Sequence, residues 1–343
     1  MLNNHAWFEQ ANKFAKNYKR EKIIWGKKKE VLQDSIRNIC RFCKTAGPQV
    51  TFKQETHIIP QQLHRAKPIS KFECDSCNEL FSKFESDFGH YFQIDKSLFG
   101  HKKKKSGFTK FKTKSGSEIN RISDIEKIKT VVNLTPELEE RILSDETRVL
   151  NLFTSFTDHD NEIISNDNGM FTFRLIRPPY RPINVFKTFM KIGISLIEEN
   201  QIKDYSKVCS FLTDPSVSFE FDKRLYVTQI PVLRNFYPDT VAYLYNRISD
   251  ENIYDKTLVV FFGNKIFQIS IPSNQNLNQY PNVKSIRESP YKNPHILSNE
   301  DIEKEEFVKH LEKAIFYDDN LNEDELLKED RFEESLEIEL TNE

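Results

Sequence analysis

Four of the five cysteines in this 343-residue chain stand in two Cys-x-x-Cys pairs, Cys40-Arg-Phe-Cys43 and Cys74-Asp-Ser-Cys77, with 30 residues between them. Each such turn delivers two thiolates to one point, and two turns complete the tetrahedron of soft ligands that zinc prefers. A chain in a reducing compartment does not normally keep disulfides. The four sulfurs are therefore assigned to one structural Zn²⁺, and the stretches that carry them must meet in space. Cys209, in Tyr205-Ser-Lys-Val-Cys-Ser-Phe-Leu212, stands alone and reads as an ordinary buried thiol.

The rest of the chain is polar but able to fold. Charged residues make up 30%, yet 28 Phe and 12 Tyr are enough to fill a sizeable core, which argues against global disorder. Purely apolar runs are short, as in Leu258–Phe262. A membrane span needs about 20 apolar residues, so a membrane partner is not expected. The start, Met1-Leu-Asn-Asn-His-Ala-Trp7, has no stretch fit for a secretory signal, and the expected location is cytoplasmic.

A formal net charge of −2 hides a polarity. Residues 1–115 carry 24 Lys and Arg against 11 Asp and Glu, whereas residues 299–343 carry 5 against 18. A basic front end suits a polyanionic partner, and the acidic tail suits solvent.

The pattern divides the chain into five stretches and predicts an α+β class. Residues 1–35 form a basic helical segment, with Trp7, Phe8, Ala11, Phe14, Ala15 and Tyr18 at helical spacing over 3–19. The zinc module occupies 36–98. A basic linker follows at 99–118, where Lys102, Lys103, Lys104 and Lys105 form a candidate phosphate-binding strap. A mixed α+β domain spans 119–295. In it, Thr135-Pro136 marks a helix start and Phe171–Leu175 alternates as a strand. Residues 184–200 read as a helix, and Leu225–Ile230, Val241–Tyr245 and Leu258–Ile271 as strands. The last of these has a hairpin turn at Gly263-Asn264. The tail, 296–343, is acidic with helical potential.

Chemistry concentrates around the cysteines. Thr51–Ile58 reads as a hairpin strand, and the second cysteine turn should run into a helix starting near Asn78. Zinc would staple the two, bringing His57 at the strand's end towards Asn78 at the helix's start. An imidazole and an amide oxygen aimed at one point can bracket a metal and a phosphate.

Cys-x-x-Cys, then Glu55-Thr-His-Ile-Ile-Pro60, then Glu73-Cys-Asp-Ser-Cys-Asn78 with Phe and Glu downstream, resembles the HNH endonuclease superfamily. The likeness is to its four-cysteine, zinc-binding branch with a ββα-metal core, and it covers roughly 36–98. It implies that His57 is the general base and that Asn78 helps to hold a catalytic divalent ion such as Mg²⁺. Where many relatives carry a metal ligand directly before the histidine, this chain has Thr56, and the nearest acid is Glu55. Glu55 is a candidate ligand if the strand end bends or a water bridges. The asparagine expected shortly before Cys74 is not evident in Pro68-Ile-Ser-Lys-Phe-Glu73.

Helix geometry screens the remaining candidates. Ser82 lies four residues after Asn78 and shares its face, so it is a further candidate ligand. Glu85 lies about 10 Å along the axis and is better read as pairing with a basic residue. Phe81, Phe84, Phe88 and Phe92 form a core stripe. His64 and Arg65, with Lys67, are surface groups that could touch phosphate.

The function expected is a metal-dependent endonuclease cutting DNA, with RNA open as a substrate and bacterial restriction or antiphage defence as a setting. The alternative is a non-catalytic, zinc-stapled nucleic-acid-binding module. Residues 119–295 would recognise the target or take a regulatory partner or ligand.

Overall fold

A computed structural model describes residues 12–63, 67–93, 96, 180–223, 225–229, 237–263 and 265–286, and the backbone of strands at 111–112, 118–123, 128–133, 166–167, 170–176, 311–315 and 333–339. Helices and largely antiparallel sheets make the chain α+β. The chain divides into two compact units, Met1–Ser86 with Pro182–Asn320, and Asp87–Arg181 with Leu321–Glu343.

The strands of the first unit are β1 (Tyr18–Trp25), β2 (Val31–Leu32), β3 (Thr56–His57), β4 (Ile69–Ser70), β10 (Leu225–Gln229), β11 (Tyr237–Arg247), β12 (Lys256–Gly263), β13 (Lys265–Ile271) and β14 (Leu311–Ile315). Those of the second are β5 (Phe111–Lys112), β6 (Glu118–Ser123), β7 (Ile128–Asn133), β8 (Asn166–Asp167), β9 (Met170–Ile176) and β15 (Glu333–Glu339).

A six-stranded sheet in the order β1-β11-β12-β13-β10-β14 dominates the first unit, and every neighbour in it is antiparallel. β12 and β13 form the expected hairpin, with Phe262 opposite Lys265. Both faces of the sheet are covered, which explains why β12 reads as an apolar run instead of alternating. On one face Phe14 and Tyr18 join Tyr243, Tyr245, Val259, Phe261 and Ile266 in a core cluster. On the other lies the helix Pro182–Leu196, where Phe189 stacks on Phe267 at 5.1 Å. Gly193 makes room there for Ile271, whose Cδ1 would have to move from a Cβ built at 2.2 Å.

Several expectations are corrected. Only 12–17 of the expected 3–19 helix is helical among the described residues, and Tyr18–Trp25 is a strand. Its register against β11, Tyr18 opposite Arg247 and Trp25 opposite Val241, draws Ile23, Ile24 and Trp25 into a ladder that suits aromatic and β-branched residues. The helix expected over 184–200 spans Pro182–Leu196 and is followed by a 3₁₀ turn at Glu199–Tyr205 and a second helix at Ser206–Thr213. β11 is longer than expected, covering Tyr237–Arg247, and β10 covers Leu225–Gln229, with residue 230 outside the described residues. Among the described residues of the acidic tail, Leu311–Ile315 and Glu333–Glu339 are strands in place of the expected helix. In Glu333–Glu339, Leu336 and Ile338 alternate with glutamates, and the segment pairs with β9.

Residues 36–86 of the zinc segment share one unit with residues 182–286, tied by Gly26 N to Thr240 O at 2.8 Å and by buried side chains described below. In the second unit, β15-β9-β8 and β5-β6-β7 form two three-stranded sheets, and Tyr91 meets Tyr180 edge-on at 5.2 Å. Phe171–Leu175 falls within β9, as expected. Thr135-Pro136 lies outside the described residues.

Candidate metal centre and the histidine strand

The first cysteine turn closes through Lys44 N to Cys40 O and Cys40 N to Thr45 O, both 2.9 Å, with Lys44 at φ 60°. Arg41 N donates to Phe72 O at 2.8 Å, which lays this turn beside the second. The second turn runs directly into the helix Asp75–Tyr91, starting three residues before the expected Asn78. Asp75, at its start, accepts from the backbone nitrogens of Lys53 and Gln54 at 3.1 and 2.9 Å and from the Thr51 hydroxyl. Those contacts occupy the backbone of Thr51–Gln54 in a loop. The strand expected over Thr51–Ile58 is thus confined to Thr56 and His57, which pair antiparallel with Ser70 and Ile69.

The four sulfurs converge as expected. Cys40 and Cys77 Sγ lie 3.7 Å apart, Cys43 and Cys74 Sγ 3.8 Å, and all four within 4.8 Å of one another. A tetrahedral ion at about 2.3 Å from each sulfur sets its ligands about 3.8 Å apart, so the cluster fits zinc. Its electrostatics also demand a cation. The Cys77 thiol holds Cys40 down to about 5, and the Cys40 thiolate in turn pushes Cys77 up, followed by burial. Burial pushes Cys74 up to about 12, with the Cys40 charge adding to it. Four thiolates share this space only around a positive ion that offsets their repulsion. With four protein ligands such an ion would have no open position, which is consistent with a structural role. Cys209, buried outside the four-sulfur cluster, is pushed up to about 11 by burial.

Thr56 is fully buried and its hydroxyl meets Ser70 O at 2.8 Å and Ser70 Oγ at 2.7 Å. It staples β3 to β4. His57 points the other way, with its side chain 16% exposed. Its Nε2 contacts the Gln61 side-chain amide and lies 3.6 Å from Glu55 Oε1. Asn78, in the first turn of the helix, donates from Nδ2 to Gln54 Oε1 at 2.6 Å. The segment Gln54–His57 therefore touches the helix start at one end and carries the imidazole at the other. Ser82 donates to Glu79 O at 2.7 Å within its own helix. Among the described residues, the four cysteines are the one group of three or more His, Cys, Asp or Glu placed to hold a metal ion. Lys102–Lys105, His64 and Arg65 lie outside the described residues.

Glu85 pairs with Lys191 at 3.1 Å, which is the structural reading expected of it. Lys191 was not singled out by sequence. Neither was Arg41, which lies inside the first cysteine turn and reaches Ile194, Ser195 and Ile197 carbonyls at 3.1, 3.1 and 2.7 Å. The available signal was Lys187 and Lys191 at i,i+4 as the charged residues of a largely apolar helix. No helix among the described residues is long and apolar enough to cross a membrane. Comparison of the chain with protein-family models, curated proteins and solved structures gives no match.

Proposed function

We propose that this chain is a metal-dependent endonuclease of the HNH type that hydrolyses phosphodiester bonds in DNA. The observation that carries the reading is the way one four-cysteine cluster holds together a strand ending in His57 and a helix whose first turn bears Asn78. A purely structural zinc staple has no need of a partly exposed imidazole on the segment whose Gln54 side chain accepts from Asn78.

In this reading His57 removes a proton from water as the oxygen attacks phosphorus, and Glu55 and Gln61 orient the ring. Asn78 offers an amide oxygen, with Glu55 as a second oxygen donor, for a hard divalent ion such as Mg²⁺. When bound, that ion would polarise the phosphate and steady the departing 3′ oxygen. Exposed Lys27, Lys28 and Lys29, together with Lys102–Lys105, supply sequence-independent attraction to the backbone. By analogy with stand-alone members of the family, restriction or antiphage defence is the setting proposed.

The test is plasmid DNA incubated with purified protein and Mg²⁺, alongside chelator, His57→Ala and Asn78→Ala. His57→Ala should retain zinc and DNA binding and lose about 10²–10⁴-fold in rate. Asn78→Ala should need more Mg²⁺ and recover partly at high metal. Wild-type protein that binds DNA but leaves it intact with Mg²⁺, Mn²⁺ and Ni²⁺ would replace this reading by the binding module.

A further inference from the structure

A lysine inside a packed helix is costly unless its charge is met by partners. The helix Pro182–Leu196 reads Pro-Ile-Asn-Val-Phe-Lys-Thr-Phe-Met-Lys-Ile-Gly-Ile-Ser-Leu, and its two lysines, Lys187 and Lys191, are four residues apart and share a face. Phe189 and Gly193, also four apart, rest on the sheet. The lysine face turns to the zinc segment instead. Lys187 Nζ lies 5.5 Å from the Phe84 ring centroid, and Lys191 Nζ 5.7 Å from that of Phe81.

Lys191 is 1% exposed. The ammonium donates to the His57 carbonyl at 2.6 Å and to Glu85 Oε1 at 3.1 Å, and Glu73 Oε2 lies 3.5 Å away as a buried ion-pair partner. Burial opposes the charge on Lys191, but Glu73 and Glu85 outweigh it and hold its pKa above the usual lysine value. Glu73 precedes Cys74, and Glu85 lies on the helix that begins with the Asn78 turn. One cation therefore connects the backbone of the histidine strand, the second cysteine turn and the zinc-bound helix.

Stability alone is a weak reason for such a group, since apolar side chains of similar volume often serve a core as well or better. Its geometric consequence is specific. Of all carbonyls available, Lys191 takes that of His57, where the ladder between β3 and β4 ends.

We propose that Lys191, from outside the zinc segment, is the positioning residue for His57, fixing it relative to the helix that bears Asn78. The kinetic consequence rests on the nuclease reading, whereas the placement of His57 does not.

The test uses full-length, zinc-loaded protein. Lys191→Met keeps the apolar stem and removes the ammonium. Because Glu73 would then be buried without its cation, Lys191→Met/Glu73→Gln is prepared beside it. Met190→Ala, on the same helix and away from the cluster, controls for general loss of stability. Two quantities are read from each variant, after its zinc content and fold are checked. The first is kcat and KM for plasmid cleavage with Mg²⁺. The second is the His57 Cε1–H resonance in ¹³C-histidine-labelled protein, assigned by its absence from His57→Ala.

A 1 Å displacement of a reacting group costs about 10²-fold, so kcat should fall by about 10- to 100-fold with KM within about threefold. The His57 resonance should move while those of other histidines stay, and Met190→Ala should change neither quantity per folded molecule. Unchanged kcat and resonance in a zinc-loaded Lys191 variant would overturn the proposal. So would failure of both Lys191 variants to fold, which would make Lys191 a residue of the fold alone. Should wild-type protein cut nothing, the nuclease reading falls, and the resonance decides by itself: a shift upholds the placement and no shift overturns it.

Discussion

Arg41→Met would separate the cysteine turn from the helix that it caps. The Arg41 side chain is 5% exposed and meets Asp34 through two nitrogens, Nε at 3.2 Å from Oδ2 and Nη2 on Oδ1. Its Nη1 donates to the carbonyls of Ile194, Ser195 and Ile197, groups at a helix end that lack partners within the helix. Its guanidinium carbon sits 3.8 Å from the centroid of the Phe72 ring. Methionine keeps the stem, strands the Asp34 carboxylate and frees three carbonyls. Removing one partner of a buried ion pair costs about 3–5 kcal/mol. The lower end applies here, because a cleft of about 610 Å³ lined by Asp34, Ser35, Ser195 and Glu199 lets water reach the stranded groups.

A loss of about 3 kcal/mol shifts the unfolding equilibrium by about 10²-fold. The assay is urea unfolding followed by circular dichroism with zinc in excess, extended to Asp34→Asn and the double variant. The double variant should cost clearly less than the two single costs combined, because each single change leaves a buried charge without its partner. A loss below about 1 kcal/mol for Arg41→Met, or strict additivity, would refute the account of Arg41 as the tie between zinc segment and helix.

Three further outcomes are expected. The purified protein should hold one zinc per chain, and Cys40→Ser or Cys77→Ser should lose it and unfold the segment around 36–86, read by metal analysis and proteolysis; folded, metal-free wild type would refute this. Cys209, with its thiol pushed up to about 11 by burial, should resist iodoacetamide at pH 8, where only about one molecule in 10³ is thiolate, and label fully in urea. Gly193→Ala should gain up to about 1 kcal/mol from helix propensity but lose about 1–3 kcal/mol from the clash with Ile271 Cδ1, and Ile271→Val should relieve that clash in a double variant, as seen in melting temperatures.

Local patterns carried much of this protein. Two Cys-x-x-Cys turns foretell a metal cluster because three-residue spacing brings each pair of sulfurs together wherever the chain goes. The Phe81, Phe84, Phe88 stripe foretells a buried helix face, and all three rings are buried. The β12–β13 hairpin follows from an apolar run interrupted in the sequence by Gly263-Asn264, a pair of turn-forming residue types. Cys209 is buried, as its apolar neighbours imply.

What local pattern missed is set by partners far along the chain. Phe14 and Tyr18 have helical spacing with Trp7 and Ala11, yet Tyr18 begins a strand because Arg247 lies opposite it. The strand towards His57 stops short because Asp75, some 20 residues on, takes up the backbone of Lys53 and Gln54. Lys191 in isolation reads as a solvent-facing charge. It becomes a buried tie only where Glu73, Glu85 and the His57 carbonyl, more than 100 residues away, close around it. A side chain's sequence neighbours settle its local backbone preference and the face it shares, but the burial of a charge depends on which counter-charges folding brings to it, and those come from elements that no window of sequence contains.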